Sequence, residues 1–147
     1  MLVSSFDCNL LVYAHNEASA EHSKAKAFLE KALAGAAEEI LIVHQTLFEL
    51  FAVLTSQAVF RRPLSSLEAW RTCEFYLANP SVQVVSYEPS VLVIVQNLLF
   101  ERLQCGKRLF DLVFAATLKH HGVERLYTRN TKHFQDYSFL EVVDPLR

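Results

Sequence analysis

Three acidic residues in this sequence occupy comparable positions along the chain. Asp7 follows the first apolar run, Glu49 lies in the first turns of the predicted helix after the second run, and Asp111 opens the helical run 112–121. In a parallel sheet, strand ends and the starts of the following helices lie along one edge, in the crevice where such folds place their sites. The three carboxylates can therefore converge there.

Each acid also has a purely structural explanation. Asp7 and Asp111 are suited to the N-cap or the first turn of a helix, because a carboxylate accepts free backbone N–H groups and complements the helix dipole. Thr46 to Glu49 matches a capping box, in which Glu49 reaches back to the backbone N–H of Thr46. Capping explains each acid taken singly, whereas the surroundings of all three favour a shared site.

The elements that must position these acids follow from hydrophobic spacing. Five short apolar runs predict strands at residues 2–6, 40–43, 82–86, 126–128 and 141–143. The connecting segments are too long for hairpins and have helical spacing, notably at about 23–34, 47–58, 65–77 and 91–103. Crossover helices make the sheet largely parallel, so the expected fold class is α/β.

The chain has only three glycines, Gly35, Gly106 and Gly122, and each follows a predicted helix. We expect each to form a left-handed C-terminal cap, where a residue without Cβ is favoured. The sequence contains neither Gly-x-Gly-x-x-Gly nor a P-loop. No motif therefore supports a dinucleotide-dependent redox enzyme or a P-loop nucleotide hydrolase.

The amino-acid composition limits the classes of protein to which this chain can belong. The 147 residues are 52% hydrophobic and suit one domain, residues 1–147. With 14 basic and 16 acidic residues the net charge is -2, which excludes polyanion binding by a basic tail. We expect no membrane span and no signal peptide. The chain has three widely spaced cysteines, Cys8, Cys73 and Cys105, and no Cys-x-x-Cys pair. This pattern predicts that they are packing residues of a protein in a reducing cytoplasm.

Four segments carry a family resemblance. They are residues 7–13 (DCNLLVY), 44–50 (HQTLFEL), 110–117 (FDLVFAAT) and 126–134 (LYTRNTKHF). In this order and at these intervals they closely resemble the PIN-domain family of ribonucleases, and within it the VapC-type toxins of bacterial toxin–antitoxin pairs. The resemblance covers essentially the whole chain and implies a PIN-like fold, with about five mostly parallel strands flanked by helices.

The resemblance also implies an acid cluster that binds Mg²⁺ or Mn²⁺ and cleaves RNA. Carried over residue by residue, Asp7, Glu49 and Asp111 are the catalytic, metal-binding acids, and Asn9 supports Asp7. Hard divalent cations prefer oxygen ligands, which fits these residue types. The metal activates a water in such a site, so no protein nucleophile is needed.

One departure from the family pattern concerns the fourth segment. Two residues after Thr128, where the family often has an acid, this chain has Asn130, and a second frequent acid is replaced by His133. About three carboxylates remain, which predicts one well-bound Mg²⁺. We expect Thr128 and Asn130 to hydrogen-bond water or phosphate.

Basic residues border two of the four segments and are candidate phosphate contacts, although ordinary surface charge explains them equally well. They are Arg102, Lys107 and Arg108 before Asp111, and Arg129 and Lys132 beside Asn130. His120 and His121 lie late in a helix and are interpreted as surface caps. His44 is interpreted as a loop residue.

Partners are suggested by an excess of aromatic residues, from Phe48 and Phe51 to Phe75 and Tyr76. An exposed remainder would suit a dimer or a partner helix. The resemblance implies both a homodimer and a cognate antitoxin that inhibits the toxin.

Two other functions compete with a ribonuclease toxin. A catalytically weakened PIN domain acting as an RNA-binding or regulatory module is suggested by Asn130 and His133, whereas retention of the three acids argues against it. A phosphatase or phospho-acceptor domain with Asp7 as nucleophile would need a paired acid beside Asp7. Cys8 and Asn9 do not supply that acid.

Overall fold

The computed structural model describes residues 1–101 and 108–147. The strands are β1 (Leu2–Phe6), β2 (Glu38–Val43), β3 (Val82–Val85), β4 (Arg125–Tyr127) and β5 (Glu141–Val143). The helices are α1 (Cys8–His15), α2 (His22–Ala34), α3 (His44–Leu54), α4 (Ser66–Ala78), α5 (Val91–Glu101) and α6 (Leu109–His120). A short 3₁₀ helix, Thr131–His133, lies between β4 and β5.

The strands form one sheet in the order β3-β2-β1-β4-β5, and every neighbouring pair is parallel. The predicted α/β class and parallel sheet are confirmed. The chain builds the sheet outward from β1 in both directions, so the strand order reverses between β1 and β4. In such sheets a crevice opens at the carboxyl ends of the strands at this reversal. Phe6 pairs with Tyr127 there.

Helices cover both faces of the sheet, as a parallel sheet requires. Successive side chains of β2 point to opposite faces. Ile40 and Ile42 pack in a core with residues of α1 to α4, whereas Leu41 and Val43 pack in a second core with α5 and α6. The two cores hold β1, β2 and β4 rigidly. The strand β1 leads into Asp7, β2 leads into the helix that carries Glu49, and β4 lies beside β1.

The start of α3 differs from the predicted capping box. β2 ends at Val43 and α3 begins at the next residue, His44, so Val43 is the N-cap and Thr46 is buried within the helix. The capping-box interpretation of Thr46 and Glu49 is wrong because no linker separates the strand from the helix. His44 is a helical residue rather than a loop residue. A capping box does occur at α4, between Ser65 and Glu68.

The glycine predictions have mixed outcomes. Gly122 has φ of 72°, so its predicted left-handed conformation after α6 is confirmed. Gly35 has φ of -80° and ψ of 157°, so that prediction is wrong. The Gly35 N–H donates to the carbonyl of Lys31, which ends α2 in an extended conformation instead. Gly106 lies outside the described residues.

Two cysteines behave as predicted. Cys8 and Cys73 are free and buried in the core on the α1 to α4 face, and Cys105 lies outside the described residues. Across residues 1–101 and 108–147, none of the helices combines the length and the apolar character that a membrane crossing needs.

Candidate active site

Asp7 connects the sheet to α1 at the point where the strand order reverses. Its backbone N–H donates to the carbonyl of Tyr127 on β4 at 2.9 Å. Its carboxylate Oδ1 accepts the N–H of Cys8 at 2.8 Å, so the predicted N-cap is confirmed. Oδ2 is directed toward a different element, because it accepts a hydrogen bond from Thr128 at 2.8 Å.

Thr128 follows β4, and its side chain is completely buried. Its hydroxyl donates to Asp7 and accepts from the side-chain amide of Asn9 at 3.3 Å and from the N–H of Asn130 at 3.0 Å. A hydroxyl has one proton and two lone pairs, so its capacity is used. The expectation that Thr128 binds water or phosphate is therefore wrong. Thr128 orients Asp7 instead.

Asn9 lies in the first turn of α1 and joins the two strand ends. Its amide donates to the Thr128 hydroxyl, and its Oδ1 accepts the backbone N–H of Arg129 at 3.3 Å. Asn9 thus contacts the same hydroxyl that orients Asp7. The structure places Asn9 beside Asp7, where the sequence predicted a residue that supports it.

Glu49 projects from α3 next to Gln45, one helical turn earlier. The Gln45 amide Nε2 donates to Glu49 Oε1 at 2.7 Å. Gln45 was not identified from the sequence, although its four-residue spacing from Glu49 is the signal for such a contact on one helix face.

Asp111 is the third residue of α6 and lies beside the 3₁₀ helix. Its Oδ2 is 3.3 Å from Nδ1 of His133, an ion pair when the imidazole is protonated. His133 drew attention in the sequence only as a replacement for an acid. Its contact with Asp111 could not be read there, because it depends on how α6 packs against the segment after β4.

These side chains share one cavity of about 640 Å³. The carboxylate, amide and imidazole side chains that line it are those of Asp7, Asn9, Glu49, Asp111, Asn130 and His133. The three predicted acids, from three different helices or helix starts, therefore line one space. No Lys or Arg of the described chain lines it. Carboxylate oxygens without a cationic partner are the donors that hard divalent cations bind.

Three of the predicted basic residues belong to the described chain, and none of them lines this cavity. Arg108, directly before α6, and Lys132 are exposed. Arg129 instead pairs with Asp144 at 3.0 Å and with Glu21 at 3.8 Å, so its charge is already engaged. Arg102 and Lys107 lie outside the described residues.

The sequence profile described as PIN domain matches residues 6–140. The chain belongs to the PIN-domain family. Ribonuclease VapC24 of Mycobacterium tuberculosis is 37% identical over 142 residues, which are 97% of this chain and 96% of that relative. The family resemblance read from the four sequence segments is confirmed.

Solved structures show the same fold. A toxin-antitoxin complex from Klebsiella pneumoniae contains a chain with a TM-score of 0.62 at 22% identity, covering 97% of both chains. The sarcin-ricin loop cleaving toxin VapC20 of Mycobacterium tuberculosis has a TM-score of 0.66 at 13% identity, covering 91% of this chain and 95% of that one. These likenesses confirm the PIN-like architecture.

In this PIN domain no lysine or arginine of the described cavity lining balances the charge of the acids. Burial is the main reason that the pKa of Asp7 is raised, and the negative charge of Asp111 adds to it, while hydrogen bonds from Thr128 and Cys8 oppose the shift. Loss of solvent also raises the pKa of Glu49, with contributions from Asp7 and Asp111. Glu49 is exposed, so solvent weakens its shift. A bound cation would remove this repulsion.

A raised carboxylate pKa predicts a pH-dependent stability change. The folded PIN domain holds the Glu49 proton more tightly than the unfolded chain, so ionised Glu49 destabilises the fold above its ordinary pKa. Without divalent metal, we expect Glu49→Gln to raise Tm by about 2 °C at pH 7. The gain should vanish below about pH 4, where the carboxyl is protonated in both states.

The measurement is thermal unfolding followed by circular dichroism in a chelating buffer at both pH values. Glu74→Gln, on the exposed face of α4, is the matched control and should leave Tm unchanged. A Tm for Glu49→Gln at pH 7 that equals or falls below that of the unmodified protein would contradict the electrostatic explanation.

Proposed function

We propose that this protein is a divalent-metal-dependent endoribonuclease that acts as the toxin of a toxin–antitoxin pair. The observation that carries the proposal is the cavity in which Asp7, Glu49 and Asp111 meet without a lysine or arginine in its described lining. The 37% identical relative is named a ribonuclease, which supports RNA as the substrate.

The three acids fit a hard divalent ion by donor chemistry and by charge. Asp7 and Glu49 have raised pKa values because they lose solvent near other carboxylates, a cost that a cation offsets. PIN-domain nucleases typically use divalent metals, and we assign Mg²⁺, with Mn²⁺ as a substitute, to Asp7, Glu49 and Asp111. Such an ion, when bound, supplies positive charge for the phosphate and lowers the pKa of a water.

Polar residues in and beside the cavity have positioning roles in this proposal. Thr128 and Asn9 hold the carboxylate of Asp7, and Gln45 holds that of Glu49. His133 lies against Asp111 where the family often has a further acid. With an imidazole there and a neutral amide at Asn130, the proposed site holds one tightly bound ion.

RNA phosphates would be bound by cations beside the cavity. Arg108 stands two residues before Phe110, at the entrance to α6, and Lys132 precedes His133 of the cavity lining. Both are exposed and carry no acidic partner among the ion pairs of the described chain. Arg129, which is paired with Asp144, is better suited to holding the segment after β4 in place.

A cognate antitoxin and a second copy of the chain are the proposed protein partners. Large apolar side chains are exposed on several helices, among them Phe48, Phe75, Leu92, Phe100 and Phe110. Exposed apolar side chains that lie next to one another are the kind of surface that a protein partner covers. The Klebsiella pneumoniae neighbour is a toxin-antitoxin complex, which supports an antitoxin partner. Free Cys8 and Cys73 are consistent with action in the cytoplasm.

The decisive test of the function is RNA cleavage by an Asp7→Asn variant. The unmodified protein should cleave total cellular RNA with Mg²⁺ and stop when a chelator is added. Asp7→Asn keeps an oxygen that can accept the Cys8 N–H but loses the charge, so cleavage should fall about 100-fold or more. Asp136→Asn, an exposed acid outside the cavity lining, is the control and should remain active.

Full activity of Asp7→Asn would overturn the metal-acid mechanism. If the unmodified protein bound RNA without any metal-dependent cleavage, the alternative of an RNA-binding or regulatory PIN module would replace the proposal.

The positioning role of Thr128 predicts a change in metal affinity. Thr128→Val keeps the shape of the side chain but removes the hydroxyl that orients Asp7. We expect the Mg²⁺ concentration for half-maximal cleavage to rise about 10-fold, whereas Thr128→Ser should restore it. Equal Mg²⁺ requirements for the two variants would show that Thr128 is needed only for packing.

Phosphate binding by Arg108 predicts a salt-dependent loss of RNA affinity. Arg108→Glu should weaken RNA binding about 10-fold near 100 mM salt and reduce the slope of log Kd against log salt by about one. Filter binding in Ca²⁺, with catalysis suppressed, is the measurement. Arg71→Glu on α4 is the control. Unchanged binding by Arg108→Glu would assign this residue to ordinary surface charge.

A further inference from the structure

Three residues of metal-binding types, one glutamate and two histidines, meet at the far end of α6. Glu88 lies in the segment between β3 and α5, His120 is the last residue of α6, and His121 follows it. One ligand atom from each lies within 4.8 Å of the other two. The sequence suggested only that the two histidines cap a helix, because nothing local indicates that Glu88 lies beside them.

This cluster is separate from the proposed catalytic cavity. Asp111 lies nine residues before His120 on the same helix, which corresponds to about 14 Å along the helix axis. Neither Glu88 nor the two histidines line the cavity that holds Asp7 and Glu49. An ion at one site would therefore have different protein ligands from an ion at the other.

The distances within the cluster fit a small tetrahedral ion. Nε2 of His120 is 3.0 Å from Oε2 of Glu88, and Nε2 of His121 is 3.7 Å from Oε1 of Glu88. Zinc bonds to nitrogen and oxygen of about 2.1 Å, with tetrahedral angles, separate neighbouring ligand atoms by about 3.4 Å. The observed distances lie on either side of this value, and one ligand atom from each residue lies within 4.8 Å of the other two.

A second observation points to a missing partner. Nε2 of His121 is buried and has no hydrogen-bond partner in the described structure, since the Glu88 oxygen at 3.7 Å is too distant. A buried polar atom without a partner is costly. A cation bound by this nitrogen would give it the missing partner.

We propose that Glu88, His120 and His121 form a binding site for Zn²⁺ or a similar transition-metal ion. Two imidazoles with one carboxylate favour zinc-class ions, whereas Mg²⁺ prefers oxygen ligands. The carboxyl end of α6 also favours a cation through the helix dipole. The bound ion joins the segment before α5 to the end of α6, and so stabilises the packing of these two helices.

The test is a Zn²⁺ titration of the full chain by calorimetry, together with thermal unfolding. The variants are Glu88→Gln and His120→Gln, and Glu74→Gln on α4 is the matched control. All are also made in an Asp7→Asn background, so that zinc binding to the acid cavity is weakened separately. Mg²⁺ replaces Zn²⁺ in a parallel series.

We expect the Asp7→Asn protein to bind one Zn²⁺ tightly and to gain about 5 °C in Tm at a 100-fold excess over Kd. Glu88→Gln and His120→Gln should each weaken that binding at least about 10-fold and lose the Tm gain, while Glu74→Gln keeps both. Mg²⁺ should not produce the gain.

Zinc binding and a Tm gain that persist unchanged in both cluster variants would overturn the proposed site. Circular dichroism without metal shows whether each variant folds. RNA cleavage with Mg²⁺ should be retained by both cluster variants. Failure of the zinc site is therefore distinguishable from failure of the ribonuclease proposal.

Discussion

The hydrogen bond from Thr128 to Asp7 is the interaction on which the candidate site depends. It joins residues 121 positions apart and exists only because β1 and β4 are parallel neighbours. A hydrogen bond to a charged group contributes about 1.5–3 kcal/mol, whereas burying a carboxylate costs several kcal/mol. The balance leaves the Asp7 carboxylate oriented but poorly stabilised, which agrees with its raised pKa. A bound cation would stabilise a carboxylate in this state.

The surrounding fold tolerates this unfavourable charge because it is well packed elsewhere. Phe6, directly before Asp7, and Leu126, two residues before Thr128, are fully buried in the cores on opposite faces of the sheet. Their burial contributes about 1.5–3 kcal/mol each, comparable to the cost at the site. Asp7 and Asp111 lie at the starts of α1 and α6, and Glu49 lies within α3. The acids are thus placed on rigid elements, where small displacements are resisted, rather than on a long loop.

The helix α6 links two chemically different ends of the molecule. Its first turn carries Asp111 in the acid cavity, where oxygen donors dominate, and its last residue, His120, faces Glu88 together with His121. Oxygen donors favour Mg²⁺, whereas imidazoles favour zinc-class ions, so the two ends would select different metals. The positions of both ends depend on the packing of α6 against the sheet through Leu112 and Leu118.

Local pattern by itself determined the five strands, most of the helices and the placement of Asp7 and Asp111 at helix starts, because hydrophobic spacing and chain order are properties of neighbouring residues. Glu49 instead lies within α3, which begins at His44, three residues before the predicted start at 47. Where two local interpretations competed, tertiary structure decided. Thr46 and Glu49 match a capping box, yet β2 continues directly into α3 and the pattern is not used. Gly35 follows a helix like Gly122 but does not adopt its left-handed conformation.

Only the tertiary structure decided which side chains from distant segments touch. Spacing in the sequence could not show three of these contacts, since each joins segments separated by more than 20 residues. They are the hydrogen bond from Thr128 to Asp7, the contact of His133 with Asp111 and the cluster of Glu88 with two histidines. Such contacts follow from the strand order and from the packing of α6. The sequence therefore determined what chemistry was available, and the fold determined where it is assembled, because strand order is a property of the whole chain.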